Sequence, residues 1–355
     1  MEEMKMRIKI GIPRALLYYD YFLLWSTFLE RLGTEIVLSQ KTNKEIVYNG
    51  IKSAIEETCL PVKVFLGHVQ DLARKKVDYI FIPRYISVEP RRFLCPKFMG
   101  LPYMIKHLLP GIPPVLNVEV DLRKRERQLP VEMYRLGKLF TFNPWKIRLA
   151  YKLAQENQKS FKKNILQGFL PENVYFNETE KNKALKRTVL KNNQHKNVLR
   201  IGLIGHSYNL YDEYVNMNIL NKLQEMGVEI ITSKMFSEAE INSGLKRLRK
   251  DIFWTFGKET IGSAFYLLEE RITHGIILIV SFACGPDSII MDLIDRAYKR
   301  AGVPCLTLVL DEHSAEGGVI TRLEAFIEML KWKEQKNESY FSPHGQPVDC
   351  PESPF

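Results

Sequence analysis

The chain has 355 residues, 45% hydrophobic and 26% charged, with a formal net charge of +10 and five cysteines. That composition excludes disordered and fibrous classes, no stretch approaches the roughly 20 uninterrupted apolar residues of a membrane helix, and the length suits two domains. An odd number of widely spaced cysteines excludes a disulfide framework, and Met1 to Arg7 lacks the apolar core of a signal peptide, so the cytoplasm is the expected setting.

In chain order, Ile8 to Ile12 reads as a strand ended by Pro13, and Ala15 to Leu32 as a helix stopped by Gly33. Glu35 to Leu38 is a second strand, Thr42 to Glu57 a helix, and Pro61 opens another helix running to Lys75. Tyr79 to Ile82 and Val115 to Val118 complete four apolar strands separated by helices, the pattern of a mainly parallel sheet covered on both faces. From Asp121 the character changes, with 19 Lys and Arg against 7 Asp and Glu as far as Arg200, leaving 32 and 34 elsewhere. Val131 to Gln158 there reads as amphipathic helix and Pro171 to Lys196 as a polar linker.

The alternation then restarts. Ile201 to Ile204, Glu229 to Thr232, Ile276 to Phe282 and Leu306 to Leu310 are strands; Asn216 to Met226, Glu238 to Lys250, Lys258 to Ile272, Pro286 to Ala301 and Gly317 to Lys331 are helices. The expected organisation is an α/β fold of two Rossmann-like lobes, 1–120 and 198–332, with a basic helical insert and linker at 121–197 and a peripheral tail at 333–355. An internal echo supports it: Ile10-Gly11, Tyr19-Asp20 and Gly33-Thr-Glu-Ile return as Ile201-Gly202, Tyr211-Asp212 and Gly227-Val-Glu-Ile. Two such units facing each other leave a cleft between their strand C-termini, where ligands bind in these sheets.

Cys284 follows a buried strand and precedes Gly285-Pro286, so its thiol sits at a helix N-terminus, where free N–H groups and the helix dipole favour a thiolate or an anionic cluster. Cys59 and Cys95 also precede prolines, Cys59 one residue earlier, and lie at element ends. No CxxC pair occurs, which disfavours a Cys₄ zinc site; three thiolates would hold a [4Fe–4S] cluster and leave one iron open. Cys305 opens an apolar run and reads as core, and Cys350 lies in the Pro-rich tail. Arg14 and Arg84 both follow Ile-Pro at strand ends. They are expected to point into one cleft, to offset an anionic cluster or the phosphates of a coenzyme, or else to form rim salt bridges. Gly285 and Ser288 are candidates for the same cofactor contact. His206, in Gly-His-Ser-Tyr-Asn after a strand, is the candidate for proton transfer, or is simply held by its loop. His68, mid-helix, reads as packing. No P-loop or G-x-G-x-x-G is present, so the chain is not expected to hydrolyse ATP.

Six segments together resemble a known family. They are Ile10-Gly-Ile-Pro-Arg-Ala-Leu-Leu-Tyr-Tyr-Asp, Glu57-Thr-Cys-Leu-Pro-Val-Lys, Leu94-Cys-Pro-Lys-Phe, Ile204-Gly-His-Ser-Tyr-Asn-Leu-Tyr-Asp, Phe282-Ala-Cys-Gly-Pro-Asp-Ser and Asp311-Glu-His-Ser-Ala-Glu-Gly-Gly. In this order they resemble the acyl-CoA dehydratase activase-related proteins, a branch of the 2-hydroxyacyl-CoA dehydratase superfamily. The resemblance implies a [4Fe–4S] cluster on Cys59, Cys95 and Cys284 and a separate ATP-dependent activase that delivers a low-potential electron under anaerobic conditions. It also implies a second dehydratase-like subunit or a homodimer, and reductive or dehydrating chemistry on an acyl-CoA-like substrate. The alternative is an electron-transfer or cluster-scaffold partner with no substrate of its own. Nucleic-acid binding through residues 121–200 has no recognisable reading motif behind it.

Overall fold

Lys9–Ile12 forms β1, whose buried Ile10 and Ile12 lie at the centre of the first lobe. It leads through a turn, with Leu16 at φ 53°, into α1 (Tyr18–Arg31); Gly33 then takes φ +98°, which lets the chain reverse into β2 (Glu35–Leu38). The structure is a computed structural model and describes residues 7–123, 128–176 and 198–339. Next come α2 (Lys44–Ser53), α3 (Leu60–Arg74), β3 (Tyr79–Phe81), β4 (Arg84–Ser87), α4 (Pro96–Leu108), β5 (Val115–Leu116) and β6 (Glu119–Asp121). The insert supplies α5 (Gln128–Gly137), α6 (Pro144–Leu166) and α7 (Pro171–Tyr175). The second lobe contains β7 (Arg200–Gly205), α8 (Ser207–Tyr211), α9 (Ile219–Glu225), β8 (Glu229–Thr232), α10 (Glu238–Leu245), α11 (Thr255–Glu269), β9 (Gly275–Ser281), α12 (Gly285–Arg300), β10 (Cys305–Leu310) and α13 (Glu316–Ser339).

The two four-stranded sheets have the orders β2-β1-β3-β5 and β8-β7-β9-β10, and every pairing in them is parallel. The fold is therefore α/β with Rossmann-like lobes, each with the same strand order and the same sequence of connections. Strand order reverses beside β1 and β7, which places the loops after them at the ligand-binding edge of each sheet. Each lobe buries its own hydrophobic core. The insert's Met133, Leu136, Ile147, Ala150, Phe161 and Tyr175 belong to the core of the first lobe, where α6 lies along α1.

Several elements differ from the sequence reading. Val131 to Gln158 is two helices, because Asn143 caps a new one by accepting from the Trp145 and Lys146 N–H groups and Pro144 occupies its first turn. The helix expected from Asn216 starts at Ile219, since Met217 and Asn218 are left-handed, at φ 56° and 59°. The helices expected over Thr42 to Glu57 and Glu238 to Lys250 end at Ser53 and Leu245. α4 had no sequence signal because Pro102 interrupts it. Burial of Phe98, Leu101 and Ile105 outweighs the missing N–H. Most of the polar linker lies outside the described residues, as do Cys350 and the tail from residue 340. Among the described residues no helix is long and apolar enough to cross a membrane.

Candidate functional site

Cys59, Cys95 and Cys284 each occupy the residue before a helix, respectively α3, α4 and α12, and each helix has a proline in its first two positions. The local sequence explains the placement. Proline needs no N–H partner there and has its φ already set, so Cys-Leu-Pro, Cys-Pro and Cys-Gly-Pro all start helices immediately after the thiol. Three free helix N-termini are thereby directed at one place, and their unpaired N–H groups and dipoles favour negative charge. The three side chains line a single cavity of about 40 Å³, walled by Leu94, Phe98, Trp254 and Phe256 and completed by His206 and Tyr208. Two cysteines come from the first lobe and one from the second.

His206 precedes α8 and is 7% exposed; its Nε2 lies 2.7 Å from Oδ1 of buried Asp287. The imidazole also stands against the Tyr208 and Phe256 rings, with centroids 5.2 and 5.6 Å away. Ligand atoms of His206, Cys284 and Asp287 all fall within 4.8 Å of one another, so this corner has the donors and spacing for a metal. Ala283, directly ahead of Cys284, is held at φ 61°, a strained setting that costs roughly 1–3 kcal/mol and that the surrounding fold has to impose.

Burial, reinforced by the Asp287 carboxylate, pushes the Cys284 thiol well up; burial also raises the Cys95 thiol. Both are therefore protonated at neutral pH without a cation, which argues against a free nucleophilic thiolate. A bound metal displaces such protons, and soft sulfur donors in a water-poor pocket fed by helix N-termini fit an iron–sulfur group. Burial, then Asp287 and the three cysteines, push the Tyr208 phenol well above its ordinary range, so it remains a donor.

The expected arginine pair separates. Arg14 lines a different cavity, of about 330 Å³, where its Nη1 is 3.6 Å from Glu172 Oε1 and its guanidinium lies 5.5 Å from the Phe176 ring centroid. Arg84 does not follow a strand into the cleft; it begins β4, and its register partner Glu119 on β6 takes its Nη1 at 2.5 Å. Its Nε donates to the Met99 carbonyl at 3.1 Å. Gly285 faces open space, and exposed Ser288 donates to the Gly285 carbonyl of its own helix. Cys305 is half-buried beside the second core, and burial pushes its thiol up to about 12. His68 is fully buried between Ser39 Oγ, 2.8 Å from Nδ1, and Thr42 Oγ1, 3.0 Å from Nε2; burial holds its ring neutral, at about 3.

Contacts between the lobes surround the cysteine cavity. Lys63 on α3 reaches Glu312 of the second lobe at 2.5 Å, and Lys258 on α11 reaches Glu89 of the first at 2.6 Å. The echoed Tyr-Asp pairs meet: the Tyr19 and Tyr211 rings are 6.5 Å apart, Asp20 accepts from Ser207 at 2.7 Å, and Asp212 accepts from Thr42 at 2.5 Å. A larger cleft of about 470 Å³ opens beside them. It shares Phe256 with the cysteine cavity and is lined by Phe161, Ile165, Phe236, Lys234 and Lys258. Sequence reasoning missed Tyr208 and Asp287, although both lie within motifs quoted for their neighbours. Trp254 and Phe256 carry no local signal, because aromatic residues at a helix start read as core.

Residues 9–236 match the family described as the CoA enzyme activase uncharacterised domain, more than half of the chain. No curated protein matches.

Proposed function

The chain belongs to the family described as the CoA enzyme activase uncharacterised domain, and from that premise we propose that it binds a [4Fe–4S] cluster through Cys59, Cys95 and Cys284. In this reading it is a member of the 2-hydroxyacyl-CoA dehydratase superfamily and works with an ATP-dependent activase in reductive or dehydrating chemistry on an acyl-CoA-like substrate. The observation that carries the proposal is the convergence of three proline-started helix N-termini, each headed by a cysteine, on one cavity. When bound, the cluster would supply single electrons at low potential.

The chain's own residues have separable tasks. The helix N-termini offset the negative charge of a thiolate-bound cluster. Phe98, Trp254 and Phe256 keep water from it. Asp287 engages His206 Nε2, which fixes the tautomer and leaves Nδ1 as the acceptor for a proton from substrate. Tyr208, held protonated, offers a hydrogen bond to a developing oxyanion. The 470 Å³ cleft has an apolar wall for an acyl chain, while its Lys234 and Lys258 are paired with Glu259 and Glu89. The second reading is an electron-transfer or scaffold partner without a substrate; turnover with an activase, ATP and candidate acyl-CoAs separates the two.

The test is anaerobic reconstitution followed by iron and sulfide analysis and EPR of the reduced protein. Cys59→Ser, Cys95→Ser and Cys284→Ser should each lose most of the iron, while Cys305→Ser and Cys350→Ser keep it. Full iron content in the first three would sink the ligand assignment.

A further inference from the structure

The two lobes are related as a pair of repeats facing each other, and the relation reaches into the cysteine site. Beyond the shared strand order, α2 and α3 correspond to α10 and α11. Lys63 on α3 and Lys258 on α11 stand at the same distance from their helix starts, as do Gly67 and Gly262. Each lysine crosses to a carboxylate of the opposite lobe, and Tyr19 meets its own counterpart Tyr211. A residue that touches its own equivalent is the mark of a two-fold axis rather than of a translation.

Under that axis Cys95 and Cys284 correspond, each heading the helix between the third and fourth strands of its sheet. Cys59, which heads α3, corresponds to Trp254, which heads α11. All four line the same cavity. The axis therefore pairs Cys95 with Cys284, and Cys59 with Trp254. We propose that Trp254 occupies the fourth ligand position of this site, so that an indole stands where the symmetry of the fold would set a fourth thiolate and one iron has no protein sulfur. Trp254 is fixed there from the other lobe: Phe93, two residues before Cys95, bridges it, with the Phe93 N–H on the Phe253 carbonyl at 3.2 Å and the Thr255 N–H on the Phe93 carbonyl at 3.0 Å. His206 is the competing donor for that position: with Nε2 engaged by Asp287, its Nδ1 is the nitrogen left to ligate.

The inference rests on the cluster reading, so iron loading of the wild-type chain and of the three Cys→Ser variants comes first; without a cluster in the wild type both ideas fall together. With it, the reconstituted full chain is treated with ferricyanide and followed by iron analysis and EPR. The wild type should lose one iron per cluster and give a three-iron signal, and Trp254→Ser should do the same. Trp254→Cys should keep all of its iron and give no such signal. A wild type that keeps every iron, or a folded Trp254→Cys that loses one as readily, overturns the assignment while leaving the three-cysteine reading intact. Should Trp254→Cys not fold, Trp254→Ala titrated with 2-mercaptoethanol decides. Its EPR spectrum should shift at thiol concentrations at least about tenfold lower than for wild type, and superimposable titrations overturn the proposal.

Discussion

The first and second lobes have one architecture and unequal chemistry. Strand order, helix order, the crossing lysines and the close helix pairs repeat, yet the first lobe heads α3 with Cys59 and the second heads α11 with Trp254. The first lobe also carries β4, β6 and the α5–α6 insert on its core, while the second stands on its own core. The difference teaches that what repeats is what the backbone needs: glycines where helices touch, and ion pairs where lobes meet. What does not repeat is the donor set, which a two-fold fold can vary one corner at a time.

The helix pairs give the sharpest test of that equivalence. A Cβ at Gly67 would lie 1.9 Å from the Ile46 carbonyl oxygen, and one at Gly262 would lie 2.6 Å from the Ile241 carbonyl oxygen. Gly67→Ala should therefore lower stability by about 3 kcal/mol in denaturant unfolding, and Gly262→Ala by less, because its added Cβ overlaps the facing backbone less. Equal losses would mean that the two pairs are equally tight. The crossing lysines come next. Lys63→Met strands the partly buried Glu312 and should cost about 2–3 kcal/mol, whereas Lys258→Met leaves Glu89 with Arg92 at 3.6 Å and should cost less. A loss for Lys258→Met as large as that for Lys63→Met would show that Arg92 does not hold Glu89.

Acid sensitivity distinguishes the two echoed aspartates. Burial raises the Asp212 carboxyl to about 6, whereas Asp20 lies beside Lys234 at 3.2 Å. A folded pKa above the unfolded value of about 3.9 means that Asp212 contributes stability at low pH and loses it as pH rises through about 6. His68 runs the other way: its folded value lies far below the unfolded one, so its contribution is lost as pH falls below about 6.5. Asp212→Asn removes the first effect, so the variant should lose about 2 kcal/mol more than wild type between pH 6 and pH 4. Parallel profiles measured by guanidinium unfolding at the two pH values would exclude that role for Asp212.

Much of this was legible in the residues. Apolar runs ended by proline or glycine located the sheet strands to within a residue or two, since burial on both faces leaves a continuous signal that needs no partner to be seen. The Cys-Leu-Pro, Cys-Pro and Cys-Gly-Pro steps placed three thiols at element ends for the same local reason. α4 and the break in the insert were not legible, because a proline inside a helix and a cap between two helices are settled by what packs around them. The fate of Arg84 was equally hidden: whether Ile-Pro-Arg opens a loop or a new strand depends on Glu119, thirty-five residues away.

The sequence by itself determined most of the elements, the α/β class and the chemical character of the three cysteines, all of which follow from neighbours along the chain. Only the tertiary structure decided that Cys59, Cys95 and Cys284 line one cavity, that His206 is engaged by Asp287, and that Trp254 lines the same cavity. These are distances between residues far apart in the chain, set by how two sheets are brought face to face. No local pattern encodes such a distance, because it is fixed by the burial and the ion pairs of the whole molecule.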